Sequence, residues 1–336
     1  MSIGASVLGL LSACADADQG ADAVADEASP VQAQVEGGAC KWGSTGPCSS
    51  YVTSAGATIE LGKYGAVMDK NVGTGFANTV SPLDTEASCR SFSALFGGSS
   101  GDSEQLNTLG DLKLNLYTVY RPANWVEGEK YPVVTWGNGT CAQPEGYGAL
   151  LRYVASQGFV VVAANSRYVG TGEAQRKGID FLTRANGDAS SPYYGRLDLT
   201  RVGAMGHSQG SAGTIAASSD ARIKTVVLFN GGTSARKPFL AISGDRDIGN
   251  PTATTYRNAV NNAPKAAFLF YHKVPQRGSG DGHLTLMTQP ERVAPATAEW
   301  LKLVLNDDAS AKAWFVGASC ELCGKSDDFE YGQRGL

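Results

Sequence analysis

Ser208 stands in Gly206-His207-Ser208-Gln209-Gly210, a spacing that places a serine hydroxyl at the tip of a tight turn and can make a nucleophile of it. Glycine is frequent in this chain, 42 of 336 residues, so the pattern is weak until partners are found. Attack on a carbonyl needs a general base and a group that orients that base. Three histidines are available. His207 lies too close in sequence to turn its ring back onto the Ser208 hydroxyl. His272 ends the apolar run Ala266-Ala267-Phe268-Leu269-Phe270-Tyr271 and reads as a packed or edge-strand residue. His283 follows the glycine-rich loop Gly278-Ser279-Gly280-Asp281-Gly282, which can carry an imidazole to a serine, so it is the candidate base. Two carboxylates compete for the orienting role, Asp245 and Asp247 in Gly244-Asp245-Arg246-Asp247-Ile248-Gly249-Asn250-Pro251. Asp245 could equally cap that turn or pair with Arg246.

These residues need elements that bring them together. Arg201-Val202-Gly203-Ala204-Met205 reads as a strand and Ser211 to Ala217 as a small-residue helix, the context a nucleophile elbow requires. Pro238 to Ser243 is a strand that runs into the acid turn, and a helical segment is expected from about Gln289 to Leu305. Tyr131 to Trp136 reads as a buried strand, and its glycine-rich continuation, Gly137-Asn138-Gly139-Thr140, can bring backbone N–H groups close to a ligand. Together with the Gln209 amide, that loop can bind a developing oxyanion. Residues 40 to 110 are rich in Gly, Ser and Thr and are expected to hold the first strands of the sheet with a disulfide-pinned decoration. The first clear alternation is Leu112, Leu114, Leu116, Thr118 and Tyr120. Between Asn230 and Lys237 the connection is too short for a large lid, which predicts an open site.

The run Arg196 to Gly210 resembles the nucleophile region of bacterial α/β-hydrolases that include cutinase-like polyester hydrolases, dienelactone hydrolases and chlorophyllases. Gly244 to Pro251 is similar to the acid turn of that family, where the catalytic Asp stands four residues before a Pro, as Asp247 does before Pro251. Leu151 to Val162 resembles the helix and strand that follow the oxyanion loop. The resemblance spans roughly residues 112 to 306 and implies an α/β-hydrolase fold, a mostly parallel central sheet flanked by helices. It implies the triad Ser208, Asp247 and His283, spaced 39 and 36 residues apart, with oxyanion amides from Asn138 and Gln209 and no metal or other cofactor. The sequence departs from the polyester hydrolases of the group at two points. They usually carry Met after the nucleophile, where Gln209 makes the pocket wall polar. They also place a Trp after the strand that follows the elbow helix, where Thr225 to Phe229 leads into Asn230-Gly231-Gly232.

The amino terminus suggests a compartment. Residues 1–13 are small and apolar, and Leu11-Ser12-Ala13-Cys14 matches a lipoprotein cleavage box, with Cys14 as the lipidated residue. The basic residues usual in such a segment are missing, so the expectation is a natural start upstream of Met1, the alternative being a buried helix. Residues 14–39 form an acidic tether, with six acidic and no basic residues between 15 and 38. Residues 40–336 then form a single domain with disulfide-pinned N-terminal and C-terminal extensions. Of the seven cysteines, lipidation of Cys14 would leave six for disulfides: Cys40, Cys48, Cys89, Cys141, Cys320 and Cys323. Cys40 with Cys48 and Cys320 with Cys323 are the short-range pairings, and a bridge at Cys141 would brace the oxyanion loop. Zinc at Cys320 and Cys323 lacks further ligands in the sequence. A formal net charge of −4 offers no basic patch for nucleic acid.

The resulting expectation is an extracellular, lipid-anchored, monomeric serine carboxylic-ester hydrolase with an open site for bulky esters or polyesters. An amidase or peptidase would use the same triad. An inactive lipid-anchored binding module would be expected to have lost part of it.

Overall fold

The computed structural model describes residues 37–53, 56–76, 81–89, 110–248, 251–273, 281–324 and 326–336. The expected signal segment, Cys14 and residues 15–36 of the tether lie outside the described residues. At the other end of that tether, Gly37 and Ala39 belong to the folded part. The Gly37 carbonyl accepts the Ser49 hydroxyl at 2.6 Å, and Ala39 pairs with Ser50.

Strands β1 (Ala39–Cys40), β2 (Ser50–Val52) and β3 (Thr58–Glu60) make a small separate sheet. The chain continues through β4 (Val67–Val72), β5 (Tyr117–Arg121), β6 (Tyr131–Gly137), α1 (Gly148–Ser156), β7 (Val160–Ala164) and α2 (Glu173–Gly187). Next come β8 (Leu197–His207), α3 (Gln209–Ala217), β9 (Ile223–Phe229), β10 (Phe239–Gly244), α4 (Ala253–Asn261) and β11 (Ala266–Tyr271). The last elements are α5 (Thr285–Thr288), α6 (Ala294–Leu305), α7 (Ala309–Lys312) and β12 (Phe329–Arg334).

Among the described residues, nine strands form the main sheet in the order β12-β11-β10-β9-β8-β6-β7-β5-β4. The six from β11 to β7 are parallel, and β12, β5 and β4 join antiparallel. Strands covered on both faces read as continuous apolar runs, and β6, β7, β10 and β11 are buried at every position. Side-chain alternation divides each run between two cores. Val134, Trp136, Met205, Val227, Leu240 and Leu269 pack with α1 and α6. Their neighbours Val133, Ala204, Val226, Ala241 and Phe268 pack on the other side with α2 and α4. Trp300 of α6 fixes its side by donating its indole N–H to Thr225 Oγ1 at 2.8 Å.

Two expected elements are corrected. Alternation from Leu112 suggested a strand starting there, but strand structure begins at Tyr117 and Leu114 is 37% exposed. Asn115, at φ 71°, turns the chain between Leu114 and Leu116, and a residue in that conformation interrupts extended backbone. The helix expected over Gln289–Leu305 begins only at Ala294. Pro290 opens a separate short 3₁₀ turn (Pro290–Arg292), because proline lacks the N–H that would join it to α5.

Among the described residues three disulfides are present: Cys40–Cys48, Cys89–Cys141 and Cys320–Cys323. Because Cys320 and Cys323 are bonded to each other, they are not thiolates for zinc. The Cys89–Cys141 bridge spans 52 residues, a loop whose closure costs the unfolded chain about 4 kcal/mol of entropy. It ties the segment before residue 90 to the loop after β6. A buried Arg167–Asp84 ion pair at 2.7 Å reinforces that junction, and the Arg167 carbonyl accepts the Cys141 N–H at 3.0 Å.

Candidate active site

Ser208 connects β8 to α3 with φ 54° and ψ −120°, a conformation costing a non-glycine residue about 1–3 kcal/mol. The surroundings enforce it. A Cβ on Gly206 would sit 2.2 Å from the Gly210 carbonyl oxygen, and one on Gly210 would sit 2.0 Å from that of Gly137. The two glycines therefore let α3 lie against the ends of β8 and β6. The Ser208 N–H donates to the Phe229 carbonyl at 2.8 Å, anchoring the elbow to β9. Its hydroxyl makes no hydrogen bond among the described residues.

The structure brings Asp247 and His283 together. Asp247 lies three residues beyond β10, is 4% exposed, and accepts the His283 Nδ1–H at 2.6 Å on Oδ1. The same oxygen accepts the Ile248 N–H at 2.7 Å, while Oδ2 accepts the Ser243 hydroxyl at 2.6 Å and the Asn230 Nδ2–H at 2.8 Å. Burial alone would raise the carboxyl's pKa. The hydrogen bonds from His283 and Ser243, with the imidazole's charge and Asn230, outweigh it and hold the group below its ordinary value. With Asp247 ionised, its Oδ1 accepts the Nδ1–H of His283, which leaves Nε2 as the nitrogen that a general base would use.

The alternatives are placed elsewhere. Asp245 accepts the Lys273 N–H at 3.0 Å and so ties the ends of β10 and β11. His272 Nε2 lies 3.2 Å from Glu330 Oε1 on β12. His207 is 3% exposed, with Nδ1 2.9 Å from the Tyr147 hydroxyl and Nε2 2.8 Å from the His283 carbonyl. Burial and the neighbouring His283 charge push its pKa down to about 3.

Asn138 directly follows β6 and is fully buried. Its amide group donates to the Ala164 and Ser166 carbonyls and accepts the Trp136 indole N–H, all at 2.8 Å. Gln209 is the first residue of α3, where backbone N–H groups lack intrahelical acceptors. Its side chain does not present the free polar head expected of a pocket wall. Oε1 accepts the Val169 and Gly170 N–H groups at 2.7 and 3.1 Å, and Nε2 donates to Thr140 Oγ1 at 3.3 Å.

Sequence reasoning missed Asn230, Ser243 and Tyr147. Ser243 had a signal, a polar residue at the end of the apolar Phe239–Ile242 run. Asn230, at φ 51°, entered only as the residue that follows the Thr225 to Phe229 strand, and Tyr147, the last residue of a 3₁₀ turn, carried no local signal.

The parallel strand ends, the strained serine elbow and the sheet order define an α/β-hydrolase. Residues 116–330 match the sequence family described as PETase, PET hydrolase-like. That stretch is more than half of the chain, which belongs to this family and is a serine ester hydrolase. It is 26% identical over 239 residues to a bis(hydroxyethyl) terephthalate hydrolase of Streptomyces coelicolor, covering 68% of this chain and 73% of the relative. Cutinase cut1 of Thermobifida fusca is 24% identical over 268 residues, covering 76% and 79%. Cutinase 2 of Thermobifida cellulosilytica is 26% identical over 203 residues, covering 57% and 74%.

Proposed function

We propose that the chain hydrolyses carboxylic esters through an acyl-enzyme on Ser208, with bulky esters and polyesters of aromatic diacids as the substrate class. The observation that carries this is the buried Asp247–His283 pair at the C-terminal ends of the same parallel strands that carry the strained Ser208. His283 Nε2 takes the Ser208 proton as Oγ bonds to the ester carbonyl carbon. Asp247 stabilises the imidazolium, and the backbone N–H groups of Asn138 and Gln209 bind the tetrahedral oxyanion. His283 then protonates the leaving alcohol, and water repeats the sequence to release the acid. The Ser208–His283 contact closes in the substrate complex, as such bonds often tighten only there.

The terephthalate diester in one relative's name and the cutinase names of the others support the substrate class. The short Asn230–Pro238 connection supports an open site. The three disulfides fit an oxidising compartment and support a reaction outside the cytoplasm, with lipid on Cys14 as the proposed anchor.

The test is a panel of p-nitrophenyl esters of rising acyl length, bis(hydroxyethyl) terephthalate and a matched anilide, assayed with the wild type and Ser208→Ala. Ester hydrolysis should exceed anilide hydrolysis, and Ser208→Ala should lose about 10³-fold or more. Equal rates for the two proteins would contradict the mechanism, and faster anilide cleavage would make the enzyme an amidase.

A further inference from the structure

His207 takes no part in the proposed proton transfers, yet it is buried beside them, its ring centroid 4.6 Å from that of His283. A buried imidazole is stable only if its nitrogens are partnered, and both are. The His283 carbonyl can only accept, so His207 Nε2 carries the proton. Nδ1 therefore accepts, and its donor is the Tyr147 hydroxyl at 2.9 Å. Tyr147 Oη in turn accepts the Gly139 N–H at 2.9 Å. One proton arrangement satisfies every donor in the chain. It runs from the backbone of the loop after β6, through the residue before α1, through the elbow, to the backbone of the base itself.

The two ends of this chain lie where the proposed chemistry needs rigidity. Gly139 adjoins Asn138, the proposed oxyanion donor. His283 is held at its own carbonyl, while the carbonyl before it, Gly282, accepts Asn230 Nδ2 at 2.9 Å. Two consecutive carbonyls of the base loop are thus gripped from the ends of two strands, β8 and β9. The geometry points to His207 and Tyr147 as a pair of positioning residues that couple the aim of the His283 imidazole to the placement of the oxyanion loop. This inference rests on the serine-esterase reading given above. A histidine that merely filled the core would need no specific donor order and would show its loss in stability alone.

The pair is tested by kcat and KM for a p-nitrophenyl ester, with thermal melts, in His207→Phe, His207→Gln, Tyr147→Phe and the His207→Phe/Tyr147→Phe double variant. His207→Phe and Tyr147→Phe should each lower kcat by about 10-fold or more with KM within about threefold, because the hydrogen bonds aim the base rather than bind substrate. The double variant should be no worse than the poorer single one, since both break the same chain. His207→Gln retains an N–H toward the His283 carbonyl and should recover most of the kcat lost in His207→Phe. Tyr147→Phe keeps the question open to measurement if His207→Phe does not fold. His272→Gln, away from the site, should keep wild-type kcat. Wild-type kcat in both folded single variants, or losses that multiply in the double, would overturn the coupling. Activity of Ser208→Ala at the wild-type level would instead overturn the serine reading beneath it.

Discussion

At the elbow, Ser208 is positioned by backbone and by missing side chains. Across the site, His283 is positioned by side chains that arrive from the ends of β8, β9 and β10. The first arrangement is steric: Gly206 and Gly210 let strand and helix close to distances that any Cβ would forbid. The second is electrostatic: Asp247 accepts four hydrogen bonds, and Asn230 shares its amide between that carboxylate and the Gly282 carbonyl. On this comparison the proposed nucleophile should tolerate change in its side-chain surroundings but none in glycine volume, whereas the proposed acid–base pair should show the reverse.

The largest effect should come from the steric side. Gly210→Ala places a methyl 2.0 Å from the Gly137 carbonyl oxygen, and the backbone must move. A loss of about 3 kcal/mol or more in denaturant unfolding is expected, with loss of esterase activity in whatever remains folded. Wild-type stability and activity would mean that the elbow is not sterically locked.

Next in size is the electrostatic side. Asp247→Asn keeps the volume and removes the charge, and kcat should fall about 10³- to 10⁴-fold while the protein stays folded. Asp245→Asn should leave kcat near wild type, because that carboxylate serves the Lys273 N–H. The reverse pattern would transfer the orienting role to Asp245.

The smallest effect sharpens the comparison through pH. His207 has a pKa of about 3 in the folded protein against 6.5 for an ordinary histidine, with His283, Asp247 and Tyr147 as the titratable groups around it. Below pH 6.5 the unfolded chain therefore binds a proton that the folded protein refuses. Stability is full above that pH and falls as pH drops toward 3. Asp247 is also depressed and works in the same direction, but only at lower pH, in the ordinary carboxylate range, so the part of the slope from pH 6.5 to 5 that His207→Phe removes belongs to His207. Across it the wild type should lose about 1–2 kcal/mol more than His207→Phe, read from urea midpoints at the two pH values. Parallel slopes would place a protonated histidine at 207.

The same contrast explains what could be read from the chain. The elbow was legible because its requirements are local: glycines at fixed offsets, a strand before and a helix after. The strands around it were legible as buried apolar runs such as Tyr131–Trp136 and Ala266–Tyr271, but their order in the sheet, β12-β11-β10-β9-β8-β6-β7-β5-β4, was not. The acid–base side was legible only in its ionisable members. Asn230 and Tyr147 act through partners 52 and 60 residues away, and no local pattern encodes such a meeting. Gln209 shows the limit in the other direction. Its identity suggested a polar pocket wall, but the N–H groups of Val169 and Gly170, 40 and 39 residues earlier, take up its carbonyl oxygen. The overextended strand at Leu112 and helix at Gln289 failed for local reasons, a positive-φ Asn115 and a proline at 290.

The central claim is that Ser208 becomes acylated and that His283 and Asp247 drive both halves of the reaction. Rapid mixing with a p-nitrophenyl ester, followed by acid quench and peptide mass mapping, reads this directly. A burst of p-nitrophenol stoichiometric with enzyme, and an acyl adduct on the peptide containing Ser208, are the predicted results. An adduct on another residue, or turnover in Ser208→Ala at the wild-type rate, would contradict the account.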